Sequence, residues 1–252
     1  MDIEAIRQEV ERQVLQYFHM EHAKETDGAR IPARDVASHL EHSLLNPDLS
    51  LKKLEEECGK ARRYAVAAVC VAPYYVPAAR EILQGSPVAV GTAVGFPHGC
   101  MSQAAKLAEI KECMENGATE IDVALNILAI KSGRLDTAQR EIEEIVRFTA
   151  GKAKVKAVFE HAVYSDVEKR NVLEMLKHSG VAYVKIQNML SGKGADVNDV
   201  RFARDILGRF VEIKIDGGIK TLAQAQALLA AGASRLGLTA TVKIAEEAQA
   251  AE

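Results

Sequence analysis

From residue 37 onward the chain repeats one pattern, a short apolar run followed by a longer stretch with apolar residues every three or four positions. The runs are Ala37–Ser43, Ala65–Ala72, Val88–Val94, Glu120–Asn126, Val155–Glu160, Ala182–Gln187, Val211–Asp216 and Arg235–Thr239. Between them, stretches such as Leu51–Arg63, Met101–Asn116, Thr137–Thr149 and Val197–Leu207 carry helical spacing. Turn signals at Asn116-Gly117, Ser179-Gly180 and Ala231-Gly232 precede several runs and suit helix C-caps. Eight alternations of strand and helix predict an α/β fold, a (β/α)8 TIM barrel with a parallel sheet. An open doubly wound sheet calls for GxGxxG after its first strand, and the chain has none.

The first thirty residues follow a different rule. Ile3, Ile6, Val10, Val14 and Tyr17 form an apolar stripe, predicting an amphipathic helix over residues 1–18. The polar stretch His19–Arg30, with Asp27-Gly28, reads as a linker. The expected organisation is an N-terminal helix and linker over 1–30 and a barrel over 31–252.

Composition narrows the classes. The chain has 252 residues and a net charge of -3, enough for one large core and no general attraction for nucleic acid or anionic membranes. No apolar run spans a bilayer and the N-terminus is charged, so neither a membrane segment nor a secretory signal is expected. Cys58, Cys70, Cys100 and Cys113 show no paired or ligand spacing, which favours reduced thiols in a cytoplasmic enzyme.

Two strands carry a lysine, in Val181-Ala-Tyr-Val-Lys185-Ile-Gln and Val211-Glu-Ile-Lys214-Ile-Asp-Gly-Gly218. Burying an ammonium is costly, and two on neighbouring strands lower each other's affinity for a proton. An uncharged amine near neutral pH is expected, as Schiff-base chemistry on a carbonyl requires. The alternative is that both lysines point to solvent from the strand ends. Barrel chemistry sits where strands end, so the late polar residues Glu41, Ser43, Asp122, Asn126, Glu160, Lys185, Lys214 and Asp216 stand out. Alternation puts Asp122, Ala124 and Asn126 on one face, and likewise Lys214 and Asp216. A carboxylate with two lysines is also what a structural ion pair looks like. Three such groups on separate strands favour catalysis by Asp122, Lys185 and Lys214, with Glu41, Ser43 and Asn126 as substrate contacts.

Gly217-Gly218-Ile-Lys-Thr221 follows the seventh run and Gly237-Leu-Thr-Ala-Thr241 the eighth, each before a helix. Backbone amides of Gly217, Gly218, Gly237 and Thr239 in that place predict a phosphate site. Ordinary tight turns are the alternative, which the paired location disfavours. His39-Leu-Glu-His42 puts its two histidines on opposite faces of a strand, so no metal is expected.

These motifs together resemble the deoxyribose-phosphate aldolases, class I aldolases of the (β/α)8 fold, from about Val36 to Ile244. Leu40-Glu-His-Ser-Leu-Leu-Asn-Pro47 is similar to the family's first-strand signature, Ile-Asp-His-Thr-Leu-Leu-Lys-Pro. Val69-Cys-Val-Ala-Pro-Tyr-Tyr-Val76 and Val94-Gly-Phe-Pro-His-Gly99 are close to family segments. Glu120-Ile-Asp-Val-Ala-Leu-Asn-Ile127 places the family's catalytic aspartate on Asp122. The resemblance makes Lys185 the Schiff-base nucleophile and Lys214 the lysine that keeps its amine neutral. Asp122 then joins the proton relay. It implies reversible cleavage of 2-deoxy-D-ribose 5-phosphate to acetaldehyde and D-glyceraldehyde 3-phosphate, with no cofactor or metal, by a homo-oligomer.

The chain departs from the family pattern at several points. Glu41 and Ser43 replace an aspartate and a threonine, and Ile186-Gln-Asn-Met-Leu190 replaces Thr-Ser-Thr-Gly-Phe. Ile215-Asp216 replaces a pair of small residues, adding negative charge near the expected phosphate unless Lys193 or another cation compensates. Thr239-Ala240 stands where the family has a serine pair. These changes keep open an aldolase for a different aldehyde or sugar phosphate, and a barrel with a mainly scaffolding role. The N-terminal stripe needs a partner, either the barrel, a second copy or another protein. A short amphipathic helix on a polar linker resembles the encapsulation peptides of bacterial microcompartments. That resemblance implies a shell-protein partner for residues 1–18 and a location inside such a compartment.

Overall fold

Each apolar run overlaps a strand, and the strands close on themselves. The computed structural model describes residues 31–251. Its strands are β1 (Leu40–Leu44), β2 (Ala68–Val71), β3 (Ala89–Val94), β4 (Glu120–Ala124), β5 (Lys154–Glu160), β6 (Tyr183–Gln187), β7 (Glu212–Asp216) and β8 (Arg235–Leu238). Every strand pairs in parallel with the next, and β8 pairs with β1 to complete the barrel. The amphipathic helix expected over residues 1–18 and the linker over 19–30 lie outside the described residues.

Helices follow the strands and cover the barrel: α1 (Leu51–Arg63), α2 (Val76–Ile82), α3 (Gln103–Glu115), α4 (Ile127–Lys131), α5 (Leu135–Thr149), α6 (Asp166–Lys177), α7 (Val197–Leu207), α8 (Leu222–Ala230) and α9 (Thr241–Ala250). Their starts are written in the sequence. Ser50, Ser102, Ser165 and Thr221 each cap a helix by accepting from a backbone amide three residues on. The inner face of α5 buries Ala138, Ile142, Ile145 and Thr149, spaced three and four apart. Each fully buried Ile or Leu of this kind contributes about 1.5–3 kcal/mol. No helix among the described residues is long and apolar enough to cross a membrane.

Strand alternation sorts the side chains into two shells. Outward-facing residues such as Val69, Ile121, Phe159, Val184, Ile213 and Leu236 are buried against the helices and form the apolar core. The inward-facing set carries the buried charges of the sheet. Glu41, Glu120, Asp122, Lys156, Lys185, Lys214 and Arg235 all lie inside the barrel, each less than a tenth exposed. The barrel is thus apolar outside its sheet and ionic within it.

Two strand boundaries differ from the expected ones in ways that matter below. Residues 37–39 belong to a 3-10 turn, Ala33–His39, and β1 starts only at Leu40. There His39 Nδ1 lies 2.9 Å from the Ser234 carbonyl oxygen. At the other end of the fourth run, β4 stops at Ala124.

Candidate active site

Register brings the lysines together. Lys185 on β6 pairs with Lys214 on β7, and Asp122 on β4 pairs with Lys156 on β5. Asp122 Oδ2 lies 2.7 Å from Lys214 Nζ and 3.0 Å from Lys185 Nζ, so one carboxylate oxygen joins both lysines. Its Oδ1 has Lys156 Nζ at 3.1 Å. The Cys70 thiol of β2 sits 3.9 Å from the same Oδ2. The three residues expected to do the chemistry therefore meet, and neither lysine points outward to solvent.

Lys185 has a second carboxylate. Asp216 Oδ2 lies 2.7 Å from its Nζ, while Asp216 Oδ1 has Lys214 at 3.8 Å and no hydrogen-bond partner. The Phe96 ring completes this cage, its centroid 5.9 Å from Lys185 Nζ. A Cβ on Gly237 would stand 1.9 Å from Asp216 Oδ1. Only glycine there leaves room for the carboxylate.

A second ionic layer lies behind Asp122. Lys156 Nζ reaches Glu41 Oε2 at 2.7 Å and Glu120 Oε2 at 2.6 Å. Arg235 reaches the same two carboxylates at 3.4 and 3.3 Å. Lys214 closes the network with a hydrogen bond to Glu41 Oε1.

This network settles the charges differently from the sequence expectation. Burial pulls Lys185 below the ordinary lysine value and Lys214 adds to that pull. Asp216 and Asp122 outweigh both, and the net shift is upward. Burial likewise opposes the charge on Lys214, but Asp122, Asp216 and Glu41 hold it well above the usual range. The two lysines do repel. Each nonetheless faces more than one carboxylate, and that balance favours the ammonium form of both. Burial acts to raise Asp122, yet Lys156, Lys214 and Lys185 together hold it well below the carboxylate range.

Above Lys185 opens a cavity of about 430 Å3. Ser43, Gly217, Gly218, Gly237 and Thr239, all expected to contact substrate, line it together with Lys193 and Lys220. Gly218 adopts a φ of 70°, the left-handed region that favours glycine, just before Thr221 caps α8. The wall beside Lys185 is built from Gln187, Asn188 and Met189. Glu160 fixes it, accepting from Gln187 Nε2 and from the Leu190 amide, each at 3.0 Å.

Two expected substrate contacts lie elsewhere. Glu41 is wholly buried beneath the lysines and is absent from the cavity lining, because Lys156 and Lys214 draw its carboxylate inward. Asn126 lies past the end of β4, where alternation no longer applies. Its Oδ1 caps α4 by accepting from the Ala129 amide at 3.0 Å. Lys156, Glu120 and Arg235 were not singled out from the sequence. The signal was there in Lys154-Val-Lys156-Ala-Val-Phe-Glu160, where charges recur on one face of an otherwise apolar strand.

His39, in the turn before β1 rather than on a face of the strand, and His42, on β1, have separate partners. His42 bonds Thr241 and Glu57 at 2.8 and 2.9 Å. Glu41, Cys70 and Asp122 bring three ligand atoms within 4.8 Å of one another. Their chemistry suits lysine better than a metal. Both carboxylates already face ammonium groups, and burial pushes the Cys70 thiol far up, away from the thiolate a metal binds.

A family model for DeoC/LacD family aldolases matches residues 32–244. The chain is 37% identical over 210 residues to the deoxyribose-phosphate aldolase of Staphylococcus carnosus (strain TM300), covering 83% of this chain and 95% of that one. It superposes on a solved structure described as QR15, an aldolase, with a TM-score of 0.80 and 30% identity, covering 84% of this chain and 95% of that one. A tetrameric deoxyribose phosphate aldolase from Aeropyrum pernix shares the fold, with a TM-score of 0.80, 24% identity and coverage of 88% and 95%.

Proposed function

The chain belongs to the DeoC/LacD aldolase family, and on that premise we propose that it is a class I aldolase that reversibly cleaves 2-deoxy-D-ribose 5-phosphate. The products are acetaldehyde and D-glyceraldehyde 3-phosphate. The observation that carries the reading is Lys185, an amine at the floor of the cavity, joined to Lys214 through one oxygen of Asp122.

In this reading Lys185 gives up a proton and attacks the aldehyde carbon of the open-chain sugar. Water leaves and an iminium forms. Loss of the proton from the C3 hydroxyl breaks the C2–C3 bond, and its electron pair moves toward the iminium to give an enamine. Glyceraldehyde phosphate departs, C2 takes up a proton, and hydrolysis frees acetaldehyde and the lysine. Asp122 and Lys214 carry the protons between these steps. Gly217, Gly218, Gly237 and Thr239, with Lys193 and Lys220, line the end of the cavity assigned to phosphate. Borohydride reduction in the presence of acetaldehyde tests the reading, which requires added mass on the peptide carrying Lys185.

Asp216 favours a second reading, an aldolase of the same family whose preferred aldehyde carries no phosphate. Its carboxylate lines the cavity that would hold an anionic group. The assembled constellation of Asp122, Lys185 and Lys214 speaks against a purely scaffolding barrel. Residues 31–252 are assigned to the catalytic barrel and 1–30 to an extension. A homo-oligomer in the cytoplasm is proposed, with the apolar stripe of residues 1–18 bound to a microcompartment shell protein. The stripe's spacing in the sequence supports an amphipathic helix there, for which the barrel itself and a second copy are the competing partners.

A further inference from the structure

Four carboxylates (Glu41, Glu120, Asp122 and Asp216) face four cations (Lys156, Lys185, Lys214 and Arg235) in the barrel. Seven of the eight are tied into the shared network around Asp122 and Glu41. Asp216 joins it only from the side, through Lys185 at 2.7 Å and, more distantly, Lys214 at 3.8 Å. It is also the carboxylate of this set that lines the cavity, so it stands beside Nζ on the side from which substrate arrives. Gly237 makes the space that keeps it there.

We propose that Asp216 is the counter-ion of the nitrogen at Lys185, paired first with its ammonium and then with the iminium that replaces it. This rests on the Schiff-base reading and adds a residue to it. The charge at Nζ is the same at both ends of imine formation, because the ammonium and the aldehyde give the iminium and water. Only the neutral amine between them lacks the charge, and at that stage the eight-group set holds one negative charge in excess. Asp216 therefore stabilises both end states over the amine that must attack. It keeps the imine protonated and ready to accept the electron pair of the breaking C–C bond, and it slows the attack itself. From β4 Asp122 reinforces this effect. From β7 Lys214 opposes it, while the Cys70 thiol of β2 and the Phe96 ring complete the near surroundings. Glu41, Glu120, Lys156 and Arg235 act from behind Asp122.

The test is the rate of Lys185 labelling by acetaldehyde and cyanoborohydride as a function of pH, read by mass on its peptide. Wild-type labelling should keep rising with pH through the ordinary lysine range. Asp216→Asn should lower the pH of half-maximal labelling by about one unit or more, giving about tenfold faster labelling near pH 7.5. Asp216→Ser, which cannot crowd Gly237, should do the same, and Asp216→Glu should keep the wild-type profile. A midpoint that stays or rises in both charge-removing variants overturns the counter-ion role. Absence of any label on wild-type Lys185 overturns the Schiff-base reading itself, a result of a different kind.

Discussion

Lys156 Nζ lies 2.7 Å from Glu41 Oε2, with both side chains wholly enclosed by the barrel and 115 residues apart in sequence. Burial acts to raise the Glu41 pKa, but Lys156 and Lys214 bring it down from the usual 4.5 to about 2. A carboxyl lowered on folding stabilises the protein above its unfolded value. That contribution is lost as pH falls from 4.5 towards 2.

Glu41→Gln should therefore lower stability at neutral pH by about 3–5 kcal/mol, since it leaves buried ammonium groups undercompensated. Its melting temperature should also change less than that of wild type across the acid window. Circular dichroism melts from pH 7 to 2 check this. Parallel curves for the two proteins would mean that Glu41 does not carry the acid sensitivity.

Lys185→Ala should abolish imine trapping and reduce turnover by about 10⁴-fold or more, with the barrel still folded. Reduction with borohydride and acetaldehyde, followed by peptide mapping, is the measurement. Label on Lys214 in the wild type would reverse the roles assigned to the two lysines.

Asp216→Ser should lower KM for deoxyribose 5-phosphate by about fivefold. Removing one like charge from a solvated cavity is worth about 1 kcal/mol at close range. Steady-state kinetics on phosphorylated and unphosphorylated sugars separate this from a general effect. An unchanged KM for the phosphorylated sugar would mean that Asp216 does not repel it, and a higher one would give Asp216 a positive part in binding it.

Chelators should leave activity unchanged, because the iminium supplies the electron sink. Activity lost to a chelator and restored by a divalent ion would refute the class I mechanism.

Deleting residues 1–28 should leave turnover and melting temperature nearly unchanged while abolishing co-purification with shell proteins. Residues 1–18 fused to a fluorescent protein should be sufficient for targeting. A deletion that unfolds the barrel or splits an oligomer would make the segment structural.

Local spacing in the chain was enough to place the eight strands, helices such as Leu51–Arg63 and Val197–Leu207, and the meeting of Asp122 with Lys185 and Lys214. It also placed Gly217, Gly218, Gly237 and Thr239 at one cavity. Alternation along a strand and apolar spacing along a helix are local properties, and closing the sheet converts a shared face into a shared site. The tertiary structure decided what depends on neighbours from distant strands. Glu41 turned inward because Lys156 and Lys214 converge on it from across the barrel, and Asn126 became a cap because β4 ends before it. The charge on Lys185 was beyond a reading of the lysine pair alone. A buried ammonium is raised or lowered by the balance of its surroundings, and Asp216 and Asp122 tip that balance only once three strands bring them within 3.0 Å of one nitrogen.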